Sequence, residues 1–86
     1  MEKNKKEQVP ATPLTYGQKA VGLTFNPGGN PDVDKCKQSF ADLIDKQNEL
    51  RNRTDASPET KRLASITITQ MQEAQMWAVK AITWKD

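Results

Sequence analysis

Histidine is absent from this 86-residue chain. That excludes acid–base chemistry built on an imidazole and metal sites that pair His with Cys. Cys36 is the single cysteine, so no intramolecular disulfide can form. Aromatics are scarce: one Tyr, two Phe and two Trp. No stretch approaches the roughly 20 consecutive apolar residues of a membrane span. The formal charge is only +2, with Lys and Arg interspersed among acids rather than gathered in a stripe, so DNA binding is not indicated. The Asn26-Pro27-Gly28-Gly29-Asn30-Pro31 run lacks the Lys-Ser/Thr of a phosphate-binding loop. Neither catalysis nor a bound cofactor or metal is expected from such a residue set.

What is present bounds the architecture. The length allows one domain, and with 35% hydrophobic and 28% charged residues its core must be modest. Small chains of this kind are steadied by disulfides, metal or oligomerisation, and only the last is open here. Residues 1–13 are rich in Lys, Glu, Gln and Pro and read as a flexible polar tail, leaving 14–86 as a single helical domain. A lone cysteine and no apolar leader point to the cytoplasm.

The segment Tyr16 to Asn30 carries the one Tyr and all four Gly. Thr15 and Gln18 have capping-box spacing, which predicts a short helix over about Tyr16 to Leu23. Phe25-Asn26-Pro27-Gly28-Gly29-Asn30 is a turn, because a residue before proline is pushed out of the helical region. Asn30 as N-cap and Pro31 at the first position open a second helix to about Asn52, with Asp32 and Asp34 suited to its positive end. Its apolar stripe runs Val33, Cys36, Phe40, Leu43, Ile44 and Leu50, interrupted by Gln47. Ser57-Pro58-Glu59 repeats the start signal for a third helix to about Thr83. The short connection between them predicts an antiparallel hairpin.

The third helix has two apolar faces. Leu63, Thr67, Met71, Ala74, Ala78 and Ala81 form one, and Ala64, Ile68, Gln72 or Gln75, Val79 and Ile82 the other. Ile66, Met76, Trp77 and Trp84 lie outside both. A helix apolar on more than one side meets more than one partner. A homo-oligomer built around this helix is the expectation; the competing arrangement has the first helix cover the second face within one chain.

Binding chemistry concentrates in few places. Tyr16 and Lys19 are three apart, so a ring and a cation share one face of the short helix. A ring stacks on a nucleobase and a lysine meets a phosphate. Thr24 and Asn26 follow with hydrogen-bonding groups. Equally, Tyr16 can simply pack the helix, with Lys19 solvated. Arg62, with Ser65 and Thr69 on neighbouring turns, is a second polar patch; Arg62 either clamps a phosphate or pairs with Glu59. Asp32, Asp34, Asp42 and Asp45 read as solvated faces, and Lys35 and Lys37 as surface charges with a minor route to a ligand.

Three strings, YGQKAVGLTFNPGGN from Tyr16 to Asn30, FADLID from Phe40 to Asp45, and AQMWAVKAITW from Ala74 to Trp84, together resemble the small phage anti-CBASS proteins of the second type. The likeness extends over nearly all the chain from about Pro13. It implies an all-α fold, a short helix plus a long antiparallel hairpin, assembled as a homohexamer. It implies a sponge that binds cyclic dinucleotides such as cyclic GMP-AMP, and cyclic trinucleotides, without cleaving them, in the cytoplasm of an infected bacterium. Dinucleotide pockets would lie between paired protomers and trinucleotide pockets near threefold contacts. By residue type, Tyr16 and Lys19 match the dinucleotide tyrosine and lysine, joined by Phe25, Asn26 and Lys37, with Lys35 a further option. Arg62 and Thr24 match the trinucleotide arginine and threonine, with Ser65 and Thr69 beside them. Without the resemblance, two other readings stand: a structural or partner-binding helical oligomer with no small ligand, or a nucleic-acid-binding module that uses the basic tail.

Overall fold

The computed structural model describes residues 13–86; apart from Pro13, the polar tail expected over 1–13 lies outside them. Three helices follow in order: α1 (Tyr16–Ala20), α2 (Pro31–Arg51) and α3 (Pro58–Thr83). At 1.5 Å per residue α2 is about 32 Å long and α3 about 39 Å. Each start has the local chemistry its sequence predicts. Thr15 and Gln18 form both halves of a capping box, Asn30 accepts from the Asp32 amide, and Ser57 accepts from the Thr60 amide. These bonds satisfy amides that have no partner inside the helix.

The hairpin is antiparallel. Lys61 near the start of α3 donates to the Arg51 carbonyl at the end of α2, 2.9 Å away. At the other end, Val33 of α2 faces the same groove as Val79 and Thr83 of α3. Ala64, Ile68 and Gln75 form the buried seam of α3, so its second apolar stripe is the one facing inward. Leu63, Ala74 and Ala81 of the other stripe are exposed. On α2 the buried seam is Val33, Lys37, Ala41 and Ile44. The apolar count missed Lys37 and Ala41 and included Leu43, which is exposed. Val33, Lys37, Ala41 and Ile44 are spaced three or four apart on one face, whereas Leu43 is turned away from it; at Lys37 the apolar stem does the filling.

α1 packs along α2 in the opposite direction, with its beginning near Asp45 and its exit near Lys37. It ends at Ala20 rather than at Leu23, since Val21 is the C-cap and Gly22 turns the chain at φ 63°. Only glycine takes that backbone without strain. Val21 then joins Ala41, Ile44 and Ile68 in the core, with Leu23, Phe40 and Met71 packed around them. Gln72 of α3 donates to the Ala20 carbonyl at 3.2 Å, so α1, packed mainly on α2, is also pinned to α3 at its end.

The contact that admits α1 is a bare one. A Cβ on Gly17 would overlap the backbone carbonyl of Ala41. The Gly17 amide instead donates to Asp45 Oδ1 at 2.6 Å. Asp45 is therefore not the solvated face expected of it: its carboxylate serves a first-turn amide of α1, where negative charge is favoured.

Gly17→Ala is expected to lift α1 from the hairpin at a cost of about 1–3 kcal/mol or more, because backbone cannot yield as a side-chain tip does. Thermal unfolding should fall by several degrees, and α1 amides should lose hydrogen-exchange protection. Gly28→Ala, with nothing near its added Cβ, should leave both unchanged.

Candidate functional site

Two clusters of the expected residues lie at opposite ends of the hairpin. At the closed end, Tyr16 begins α1 and is 43% exposed. The Arg51 guanidinium sits over that ring, 5.2 Å from its centroid. Arg51 is itself held on two sides: its Nε donates to Asn48 Oδ1 and its Nη1 to Ser65 Oγ, both at 3.0 Å. Ser65 donates in turn to the Lys61 carbonyl. Tyr16, Arg51 and Ser65 thus tie the first turn of α1 to the end of α2 and the start of α3. Lys19, three residues after Tyr16, is exposed.

At the open end, the turn after α1 carries Thr24 and Phe25 outward, with Phe25 71% exposed. Asn26 braces the turn: its Nδ2 donates to the Asn30 carbonyl and to Asp34 Oδ1, and its Oδ1 accepts from the Asn30 amide. Phe25, Pro27, Val33 and Val79 line an apolar groove of about 230 Å³ beside this turn.

Lys37 is not the surface charge expected of it. It is 5% exposed. Its Nζ donates to the Gly22 carbonyl at 2.9 Å and the Phe25 carbonyl at 2.5 Å, and lies 5.5 Å from the Phe25 ring centroid. A buried ammonium needs such acceptors. Two carbonyls of the turn that follows α1 supply them, and the apolar stem fills the seam of α2. Charge alone gave no sign of this in the sequence. The useful signal was position: Lys37 lies four residues from both Val33 and Ala41, on the seam itself.

The open choice at Arg62 falls to Glu59. Arg62 Nε and Nη2 meet the two Glu59 carboxylate oxygens at 3.1 and 2.8 Å on the exposed surface of α3. The Arg62 bond lowers the Glu59 pKa and Glu59 raises that of Arg62. With the acid lowered, the pair's small contribution is present above the ordinary glutamate range and fades as pH falls through the lowered value. Thr69 bonds back to the Ser65 carbonyl on its own helix. Asp34 and Asp42 accept from Asn26 and Gln38.

Within one chain, then, Tyr16 gathers with Ser65 and an arginine the sequence reading passed over, Arg51. Thr24, Phe25, Asn26 and Lys37 gather elsewhere. Lys37 and Arg51 are fourteen positions apart on one helix, so the two groups are separated by about 21 Å of rise. Thr24 and Arg62, paired by residue type, do not meet in one chain. Among the described residues no group of three His, Cys, Asp or Glu side chains gathers where a metal ion could be held.

A family model described as Acb2/Tad1, hairpin domain, matches residues 18–83. The chain belongs to that family. No curated relative and no solved structure matches the chain. Membership points to an anti-CBASS, cyclic-nucleotide sponge role, a binding function rather than a catalytic one. The matched span takes in α2, α3 and most of α1, and starts just after Tyr16. No described helix of this family member is long and apolar enough to cross a membrane.

Lys37→Met keeps the buried stem and removes the ammonium. Stability should drop by about 1–3 kcal/mol, the cost of taking the buried donor away from the Phe25 carbonyl. Amides of residues 22–29 should exchange faster while those in the middle of α2 and α3 stay protected, as read by hydrogen–deuterium exchange.

Proposed function

We propose that this protein sequesters cyclic di- and trinucleotides without cleaving them and so blunts CBASS signalling in the cytoplasm of an infected bacterium. Membership of the Acb2/Tad1 hairpin family carries the reading. The exposed Tyr16 ring with Arg51 and Lys19 near it is consistent with a base-and-phosphate ligand, since rings stack on bases and cations meet phosphates.

The dinucleotide site uses Tyr16 and Lys19, with Phe25 and Asn26 contributing from the braced turn and Lys37 supporting that turn's shape. The trinucleotide site uses Arg62 and Thr24, flanked by Ser65 and Thr69. Because these groups lie at different ends of one hairpin, each site draws on more than one chain. A homohexamer supplies the neighbours. Its interfaces use the exposed apolar residues of α3, Leu63, Ile66, Met76 and Trp77, and Trp84 just beyond it. A ligand with twofold symmetry suits a pocket between two identical chains. Arg62 exchanges its Glu59 carboxylate for a ligand phosphate.

The same exposed patch favours a second reading, a helical assembly or partner-binding subunit with no small ligand. Release analysis separates the two. Purified protein mixed with cyclic GMP-AMP, washed and heat-denatured should yield intact cyclic nucleotide by mass spectrometry. Linear product would mean an enzyme, and no recovered nucleotide would leave the assembly reading.

Calorimetry then tests the sites. Tyr16→Ala should weaken dinucleotide binding at least tenfold, the scale of one lost base stack, with the oligomer intact by sedimentation. Arg62→Ala should weaken trinucleotide binding and spare dinucleotides. Equal losses for both ligand classes would refute separate pockets.

A further inference from the structure

We infer that Arg51 is a positioning residue for Tyr16: its guanidinium covers one ring face and holds the ring so that the opposite face is the only one offered to a ligand base. The inference rests on the nucleotide reading for its ligand, but its first observation is independent of any ligand.

Tyr16 is the first residue of a five-residue helix and is 43% exposed. Such a side chain is free to rotate unless something holds it. Two elements outside α1 do so through one group. The Arg51 guanidinium lies 5.2 Å from the ring centroid. That group is fixed in turn by Asn48 Oδ1 on its own helix and Ser65 Oγ on α3, both at 3.0 Å. A planar guanidinium tethered at two nitrogens has one orientation, so the ring beneath it is held to one as well. Lysine in its place would bring the charge without the plane.

The consequence is preorganisation. A ring already oriented loses less freedom when a base stacks on it. Ser65, grouped by residue type with Arg62, acts in this geometry as the anchor of Arg51.

The test uses the fact that Tyr16 is the single tyrosine. Full-length protein labelled with ring-¹³C tyrosine gives one set of ring signals. Without ligand, Arg51→Gln should shift those signals and narrow the spread between the two ring edges as flipping becomes free. Ser65→Ala should do so partly, and Arg51→Lys should not restore the original signals. In calorimetry with cyclic GMP-AMP, Arg51→Gln should weaken binding roughly tenfold. In a Tyr16→Ala background the same change should cost less than twofold, because a residue acting through the ring has nothing left to position. Unchanged ring signals would overturn the inference. Equal losses in both backgrounds would overturn it too, since Arg51 would then touch the ligand directly. If wild-type protein binds no cyclic nucleotide, the nucleotide reading fails while the ring signals still decide whether Arg51 holds Tyr16. Should Arg51→Gln unfold, Ser65→Ala carries the same comparisons: unaltered ring signals there would count against the inference, and altered ones for it.

Discussion

The fold depends on one place where a side chain is missing. Gly17 lies against the Ala41 carbonyl of α2 so closely that a methyl group would overlap it. With no Cβ in the way, the first turn of α1 comes near enough for its amide to reach Asp45 at 2.6 Å. That bond orients α1 antiparallel to α2. Everything that follows along the chain inherits the placement: Val21 enters the core, Gly22 turns, and the segment to Asn30 is laid across the start of α2. Tyr16, one residue before the contact, is brought to Arg51 by the same approach.

A second constraint fixes the other end of that segment. The turn after α1 brings two carbonyls toward α2, and Lys37 meets both from inside the seam, with its ammonium shared between Gly22 and Phe25. Asn26 braces the remainder from Asn30 and Asp34. The turn is thus held by polar groups at both flanks while Phe25 is left outward. A charged residue in the seam is compatible with a small core because its ammonium is met by two carbonyls and its stem is apolar. The closed end is arranged differently: Arg51 is tethered by Asn48 and Ser65 and its remaining face is given to Tyr16. Cations at both ends of α2 are therefore committed to shaping the α1 segment.

The core of one chain is small, and much apolar surface of α3 stays outside it. Ile66, Met76 and Trp77 are exposed, as is Trp84 beyond the last turn. Patches of this kind on a small protein mark surfaces meant for contact. α1 touches α3 through the Gln72 bond to the Ala20 carbonyl, while most of its packing is on α2, so it leaves that apolar surface open. The separation of the two residue clusters along the hairpin gives the proposed assembly a chemical purpose. Groups that a single chain holds about 21 Å apart by helix rise can be neighbours across an interface.

The three helices, their caps and their antiparallel order were legible in the sequence, because each rests on interactions within a few residues. Thr15 with Gln18, Asn30 with Pro31 and Ser57 with Pro58 are local signals, and the short connection leaves the long helices one simple way to pair. Family resemblance was legible for the same reason, carried by contiguous strings such as YGQKAVGLTFNPGGN. What local pattern could not decide was which polar residues turn inward. Lys37 and Asp45 read as surface charges, yet each meets backbone groups 12 to 28 residues away. Arg51 carried no signal at all, since its partners Tyr16 and Ser65 lie on other helices. Hydrophobic periodicity reports a side chain's preference for water. A buried ammonium or carboxylate is settled instead by whether the fold brings an unpaired carbonyl or amide to it, and only the packing of α1 on α2 and α3 decides that.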